Sequence, residues 1–300
     1  MNRFQLTPLV AALVVAGLAR AAAPASTQLP TGGSVVAGAA TIASTVSASS
    51  ASMTITQSSQ RAVVDWTRFD VGSAAQVNFV QPSASSVTLN RVLSSDPSQI
   101  FGRISANGQV FLTNPSGVYF APGSSVDVGG LVATTHSISN DAFMAGSNSF
   151  SRNGSTGTVH NEGTLTAALG GYIALLAPTV RNQGVAVARM GTVAMAAGET
   201  FTLQIDGASA LTGLEVTAST VASLVDNGLA VQAPGGLIIL SAQALERVQG
   251  GVVNNSGVLQ ANGLVNDGGR IMLRASNRIS HSGSITADAA GTGKGGTVTL

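Results

Sequence analysis

The sequence predicts an all-β protein: a right-handed parallel β-helix with an N-terminal β cap and short extra-helical excursions. Three observations predict it. The 300 residues are 44% apolar but only 9% charged, with 36 Gly. That is too apolar for a disordered chain, and too poor in Glu, Lys and Arg for long helices. Val, Thr, Ser, Ala and Gly dominate, the residues of strands and tight turns. Third, the chain repeats itself from Val159 onward. Asn161-Glu162-Gly163-Thr164-Leu165-Thr166-Ala167 is echoed from Asn182 to Ala188, from Asn255 to Ala261, and from His281 to Ala287. A second phrase answers it at Gly171-Tyr172-Ile173, Gly191-Thr192-Val193, Gly236-Leu237-Ile238, Gly269-Arg270-Ile271 and Gly296-Thr297-Val298.

The glycine of the first phrase recurs after 21 residues (Gly163 to Gly184) and after 26 (Gly257 to Gly283). A coil of that length cannot bury its own apolar face. Stacked about 4.8 Å apart, coils share a continuous apolar column. Asn suits the corners because it tolerates left-handed backbone and its amide can bond the next coil. A mature chain of about 277 residues would supply about a dozen coils at one strand spacing each.

Taken in order, Met1 to Ala23 reads as a signal peptide. Arg3 supplies the positive start, Leu9 to Ala19 the apolar run, and Ala21-Ala22-Ala23 an A-x-A cleavage site at Ala21 and Ala23. The run is too short to span a bilayer, so no stable transmembrane segment is expected. Ala39 to Val46 and Ser52 to Gln57 alternate and read as first strands that cap the stack. In the central stretch, Val77 with Phe79, and Val87 with Leu89, share a face. Asn107-Gly108 is a turn between strands. Asn114-Pro115-Ser116-Gly117 matches a type I turn position by position. Asn140 is expected to cap one helical turn through Met144, stopped by Gly146. Asn148 to Thr158 reads as an exposed polar excursion. Ile205 to Pro234 reads as a long insertion between repeats. The last strand phrase stops at Leu300 without a polar cap, so a longer polypeptide is expected.

Composition excludes several functions. Without Arg3 and Arg20 the chain carries 12 basic and 13 acidic residues, with Lys294 its only lysine. That is no basis for nucleic-acid binding. Cysteine is absent, which suits a chain that crosses membranes unfolded. His136, His160 and His281 lie far apart, outside metal-ligand spacing. The acids are scattered, with no paired carboxylates in one motif. Asn153-Gly154-Ser155-Thr156-Gly157 is not a nucleophile elbow, and Gly291-Thr292-Gly293-Lys294-Gly295 lacks parts of a phosphate loop. Neither a catalytic residue, a metal nor a cofactor is expected; a β-helix carbohydrate-active enzyme remains the alternative from another class.

The central stretch resembles the secretion domain of two-partner secretion exoproteins, the filamentous-haemagglutinin-type family. The likeness runs from about Leu29 to Gly198. It rests on Asp65-Trp66 with Phe69, Phe79-Val80-Gln81-Pro82, Leu89-Asn90-Arg91-Val92, Ser98 with Ile100 and Gly102, and Asn107-Gly108-Gln109-Val110-Phe111-Leu112. The subgroup most similar is that of high-molecular-weight adhesins and haem-acquisition exoproteins. The family tetrapeptide N-P-N-G here reads Asn114-Pro115-Ser116-Gly117. The resemblance implies export to the periplasm, recognition by an outer-membrane barrel with POTRA domains, and folding outside a Gram-negative cell. Trp66, Phe69, Phe79, Asn90, Arg91, Asn107, Gly108, Asn114, Pro115, Ser116 and Gly117 are the recognition and cap residues it implies. It divides the chain into a signal peptide (1–23), the secretion domain (24–198) and continuing repeats (199–300). The implied function is a secreted or surface adhesin with a host-cell or surface receptor, a glycan among the candidates. A haem-acquisition exoprotein and a contact-dependent toxin carrier are the alternatives.

Overall fold

The computed structural model describes residues 22–207, 209–245, 250–264 and 267–300. The expected signal segment, with its cleavage residue Ala21, lies outside the described residues. From Ala51 on, the chain winds as a parallel β-helix with three strips of strands. The first strip runs from Ala51–Gln57 through Ala75–Val80, Arg103–Ala106, the front halves of Ser125–Thr134 and Thr164–Leu176, then Val185–Ala188, Ala230–Gln232, Val258–Gln260 and Ser284–Thr286. The second runs from Arg61–Trp66 through Val87–Val92, Gln109–Thr113, the rear halves of the same two long strands, Thr192–Ala197, Leu237–Ala242 and Arg270–Ala275 to Thr297–Thr299. The third comprises Ser98–Ile100, Val118–Phe120, Thr158–Asn161, Thr179–Asn182, Leu224–Asn227, Val252–Asn255 and Arg278–His281. Parallel neighbours joined this way take right-handed crossovers because the strands themselves twist right-handedly. The described residues form nine coils, fewer than the dozen expected, because the excursions absorb chain.

The N-terminal end is closed by antiparallel pieces. Ser34–Ala37 lies against Arg61–Trp66, and Ala40–Val46 against Ala51–Gln57. Of the two expected capping strands, Ala40–Val46 is a cap piece, whereas Ala51–Gln57 is itself the first strand of the stack. Ser34–Ala37 supplies the other cap piece, and the cap covers an edge that would otherwise offer unpaired amides. Beneath them the column is plugged by aromatic rings. Trp66 meets Phe69 edge to face at 5.5 Å, and Phe79 lies below, all buried. Further along, apart from Phe120 and Met195, the column is Val, Ile, Leu and Ala.

Two of the repeated residue types have a direct structural reason. The Gly of the second phrase sits at a corner where one coil rides on the one before. A Cβ on Gly171, Gly191, Gly236, Gly269 or Gly296 would fall 1.9–2.2 Å from the carbonyl oxygen of Gly129, Gly171, Gly191, Gly236 or Gly269 respectively. The Asn of the first phrase forms the expected ladder. Asn161 donates to Asn182 at 2.8 Å, Asn182 to Asn227 at 2.8 Å and Asn227 to Asn255 at 2.7 Å, and Asn255 Nδ2 lies 2.9 Å from His281 Nδ1. The amides from Asn161 to Asn255 are buried, so each is satisfied only by its neighbours. Asn227 is a rung that the repeated phrase does not reveal. It precedes Gly228 directly, so it breaks the Asn-x-Gly spacing, yet it lies in register with Asn182 and Asn255.

The excursions differ from expectation. The helix Asn140–Met144 forms, but Ser139 caps it by accepting from the Ala142 amide; Gly146, at φ +91, ends it. The stretch 148–158 is not simply exposed. Ser149–Ser151 pairs antiparallel with Thr200–Ile205, which pairs with Leu211–Val216. This small sheet and the helix clasp the outside of the second strip. Phe143, Phe150 and Phe201 bury Val63, Val87, Leu89, Phe111, Val132 and Tyr172 in a second core. Val87 and Leu89 share a face, as their alternation implies, but that face points out of the column into the clasp. Thr88 and Asn90 point in.

His136 sits where the chain leaves the stack for the first excursion. Its Nε2–H donates to the Gly198 carbonyl at 3.1 Å, and its ring lies 4.4 Å from that of Phe201. Burial lowers its pKa to about 4. Nearby, Arg152 binds Glu199 at 2.8 Å, which holds the Glu199 carboxyl below the usual range. The unfolded chain takes up the imidazole proton near pH 6.5 while the folded chain refuses it until about pH 4. The stability His136 confers is therefore complete above pH 6.5 and is lost as the pH falls toward 4, by about 3 kcal/mol. Denaturant unfolding at steps between pH 7 and 4 should show this slope, and His136→Gln should flatten it; an equal slope in the variant would remove His136 as the cause.

Candidate functional site

The residues singled out in the sequence gather in the first coils but play unequal parts. Trp66 Nε1–H donates to Asn90 Oδ1 at 3.0 Å inside the column. Asn90 Nδ2 turns toward the Phe111 carbonyl at 3.3 Å, so one buried amide ties three successive coils of the second strip. Asp65 and Arg91 face outward on adjacent strands. Arg91 grips Asp65 through Nε and Nη2 at 2.8 and 2.9 Å, and its Nη1 donates to Asn140 Oδ1 of the excursion helix at 2.9 Å. A bidentate pair of this kind fixes direction as well as distance.

Asn107 is exposed, yet its amide is occupied. Oδ1 accepts from the Gln81 backbone amide at 2.7 Å and Nδ2 donates to the Gln81 carbonyl at 2.8 Å. Gly108 N–H donates to Gln81 Oε1 at 3.0 Å, and a Cβ on Gly108 would stand 2.6 Å from that oxygen. The Asn-Gly turn is thus a corner within one coil, between the first and second strips, and not a hairpin. Gln81 is the residue that sequence reasoning left out of the site. It is buried, and its Nε2 lies 3.2 Å from the Ser86 carbonyl, 3.0 Å from Thr88 Oγ1 and 3.0 Å from the Gln109 carbonyl. Its signal was a polar residue directly before Pro82, at the position where the alternation of Val77 and Phe79 continues the buried face.

Tyr172 extends this polar seam. Its hydroxyl donates to Gln109 Oε1 at 2.6 Å, passing over Gly130, where a Cβ would meet the Tyr172 ring at 2.9 Å. Burial holds the Tyr172 phenol far above its usual range, so it stays a neutral donor.

The Asn114–Gly117 segment forms the expected turn. Gly117 N–H donates to the Asn114 carbonyl at 2.9 Å, and Gly117 adopts φ +124. Asn114 is fully buried. Its Oδ1 accepts from the Ser116 amide at 2.9 Å, and its Nδ2 donates to the Asp96 carbonyl at 2.9 Å and to Ser98 Oγ at 3.0 Å. Pro115 is exposed and Ser116 half-buried. The Ser116 side chain makes no hydrogen bond among the described residues.

The arrangement is one of locks. Buried amides and aromatic rings specify the first coils, and only Arg91, Asn107, Pro115 and Ser116 of the eleven residues reach the surface. Among the described residues no group of three or more His, Cys, Asp or Glu gathers as a metal site, and no helix is long and apolar enough to cross a membrane.

A family model described as the TPS secretion domain matches residues 26–287. The chain is 32% identical over 255 residues to a heme/hemopexin-binding protein of Haemophilus influenzae, covering 83% of this chain and 27% of that protein. A second Haemophilus influenzae heme/hemopexin-binding protein is 32% identical over 246 residues, covering 75% of this chain and 26% of its own length. The chain therefore spans about a quarter of the length of these relatives. Among solved structures, the HMW1 secretion domain from Haemophilus influenzae superposes with a TM-score of 0.68 at 25% identity, covering 90% of this chain and 73% of that one.

Proposed function

The chain belongs to the TPS secretion domain family, and from that premise we propose that its first coils are the address read by a dedicated outer-membrane transporter. Proteins of this family are exported across the outer membrane of Gram-negative bacteria to the cell surface or medium, and this chain is one of them. The proposal divides it into a signal segment at 1–23, cut beside Ala21 and Ala23, a secretion domain at 24–198 and further coils at 199–300. The transporter is a barrel whose periplasmic POTRA domains meet the chain before it folds.

One observation carries this reading. Trp66, Phe69, Phe79, Asn90 and Asn114 are buried in the folded chain. A partner that reads these side chains must do so while the segment is extended, and loses its grip once the coils close. Strand addition to an unfolded segment offers that kind of contact. Folding outside then hides the address and resists retraction, because each finished coil is held by its neighbours.

The turn gives the test. Gly117→Val places a branched side chain at φ +124, with its Cβ 3.0 Å from the Thr158 carbonyl oxygen, so release into the medium should fall about tenfold or more. Ser116→Asn should leave release unchanged, since Ser116 contributes only its backbone amide to the turn. Without the transporter both the parent and Ser116→Asn should remain in the periplasm. Undiminished release in that background would defeat the proposal.

For the exported protein as a whole, we propose a surface or secreted adhesin with no catalytic role. A haem-acquisition exoprotein is the second reading, favoured by the two heme/hemopexin-binding relatives.

A further inference from the structure

We propose that the outward face of the third strip, around Tyr119, His160 and Arg181, binds an acidic glycan. The three strips differ sharply on their outer sides. The second is covered by the clasp. The first presents polar and charged residues without rings, such as Ser52, Gln76, Arg103, Ser105 and Asp127. The third carries an aromatic column. Phe101 meets Tyr119 edge to face at 5.9 Å, and Tyr119 lies 5.5 Å from the tilted ring of His160. Tyr119 and His160 are in register on adjacent strands, and Arg181 is next in line.

The column borders a groove of about 760 Å³. Pro97 and Pro115 add apolar lining, Thr156, Thr158 and Thr179 add hydroxyl groups, and Arg181 lines the groove as well. The rings are held in place. Glu162 accepts the Tyr119 hydroxyl, and His160 Nε2 stands 3.6 Å from Glu162 Oε1 and 3.3 Å from Gln183 Oε1. Glu162 is not among the residues lining the groove. Arg181 is exposed and has no hydrogen-bond or ion-pair partner among the described residues, although Asp226 follows it in register.

These features fit one ligand chemistry. Aromatic and proline faces pack against the apolar faces of pyranose rings, and a coil rise of about 4.8 Å is the size of one such ring. Threonine hydroxyls suit sugar hydroxyls. An unpaired guanidinium suits a carboxylate, which it can hold through two parallel bonds. An acidic peptide fits less well. Peptides gain affinity on sheets by pairing with a free edge, and Val118–Phe120 is already paired on both sides, with Ser98–Ile100 and Thr158–Asn161.

The inference rests on the surface-exposed placement proposed above but not on transporter recognition, and the two fail separately. The test uses the full chain recovered from the medium. Its probes are hexasaccharides of hyaluronate, galacturonate and sialate, each beside its carboxyl-reduced form, with free sulfate as the simple-anion control. At least one acidic hexasaccharide should bind about tenfold more tightly than its reduced form. Arg181→Ala should remove that preference and leave binding of the reduced form unchanged. Tyr119→Ala should weaken both forms. Both variants should be released normally and melt like the parent. The site is refuted if no acidic form is preferred, if the preference survives Arg181→Ala, or if sulfate at equal concentration displaces the sugar as well as the sugar itself does.

Discussion

Gly191→Ala should destabilise the protein by at least about 3 kcal/mol, although it adds a single methyl group. The new Cβ would stand 1.9 Å from the carbonyl oxygen of Gly171. That oxygen is backbone, inside a strand paired on both sides, so it cannot swing away like the end of a flexible side chain. Nor can Gly191 retreat toward the next coil, because its own carbonyl already lies where a Cβ on Gly236 would come within 2.0 Å. Relief requires prising two coils apart, which weakens the ladder from Thr192–Ala197 to its neighbours and the adjacent Asn161–Asn182–Asn227 rungs. Gly207 is the control. It has no atom within 4 Å of an added Cβ and no positive φ, so Gly207→Ala should lie within about 0.5 kcal/mol of the parent. Equilibrium denaturation of both variants decides it. Equal stabilities would mean that the glycine column is not a steric requirement.

Trp66→Ala should be at least as severe, with a loss of about 5 kcal/mol. Removing a buried Trp leaves a cavity worth about 3–5 kcal/mol. The loss strips Phe69 of its edge-to-face partner and leaves Asn90 Oδ1 without the Trp66 donor, and a stranded buried acceptor costs about 1–3 kcal/mol. The amide of Asn90 joins three coils, so the damage spreads along the cap rather than staying at one site. Trp66→Phe refills most of the volume but cannot donate, and should cost about half as much. The two variants also bear on export. If outward folding of the cap holds the passage forward, release should follow stability, with Trp66→Ala retained in the periplasm and Trp66→Phe intermediate. Normal release of a Trp66→Ala chain shown to be unfolded would separate export from folding.

The parts of the site legible in the sequence were those with local causes. Asn114, Pro115 and Gly117 each satisfy a requirement of one four-residue turn, so their roles could be stated before any contact was seen. The Asn ladder was legible for the same reason, except at Asn227, where one missing residue broke the spacing while the register held. Gln81 and Tyr172 were not legible as partners in one polar seam. Nothing in the pattern of either strand shows that a gap at Gly130 lets a ring from one coil reach Gln109 two coils away.

Alternation, corner residues and a recurring Gly and Asn were enough to determine that the chain winds into stacked coils. Each coil presents the same chemistry to the next, so a local pattern dictates a repeating contact. The tertiary structure alone decided which side of the second strip faces the column. Val87 and Leu89 on one side and Val92 on the other are all apolar, so a period of two cannot choose between them. It also decided that the segments around Phe150 and Phe201 meet over that strip. They lie some fifty residues apart, and only the winding of the intervening coils returns the second to the place where the first is waiting.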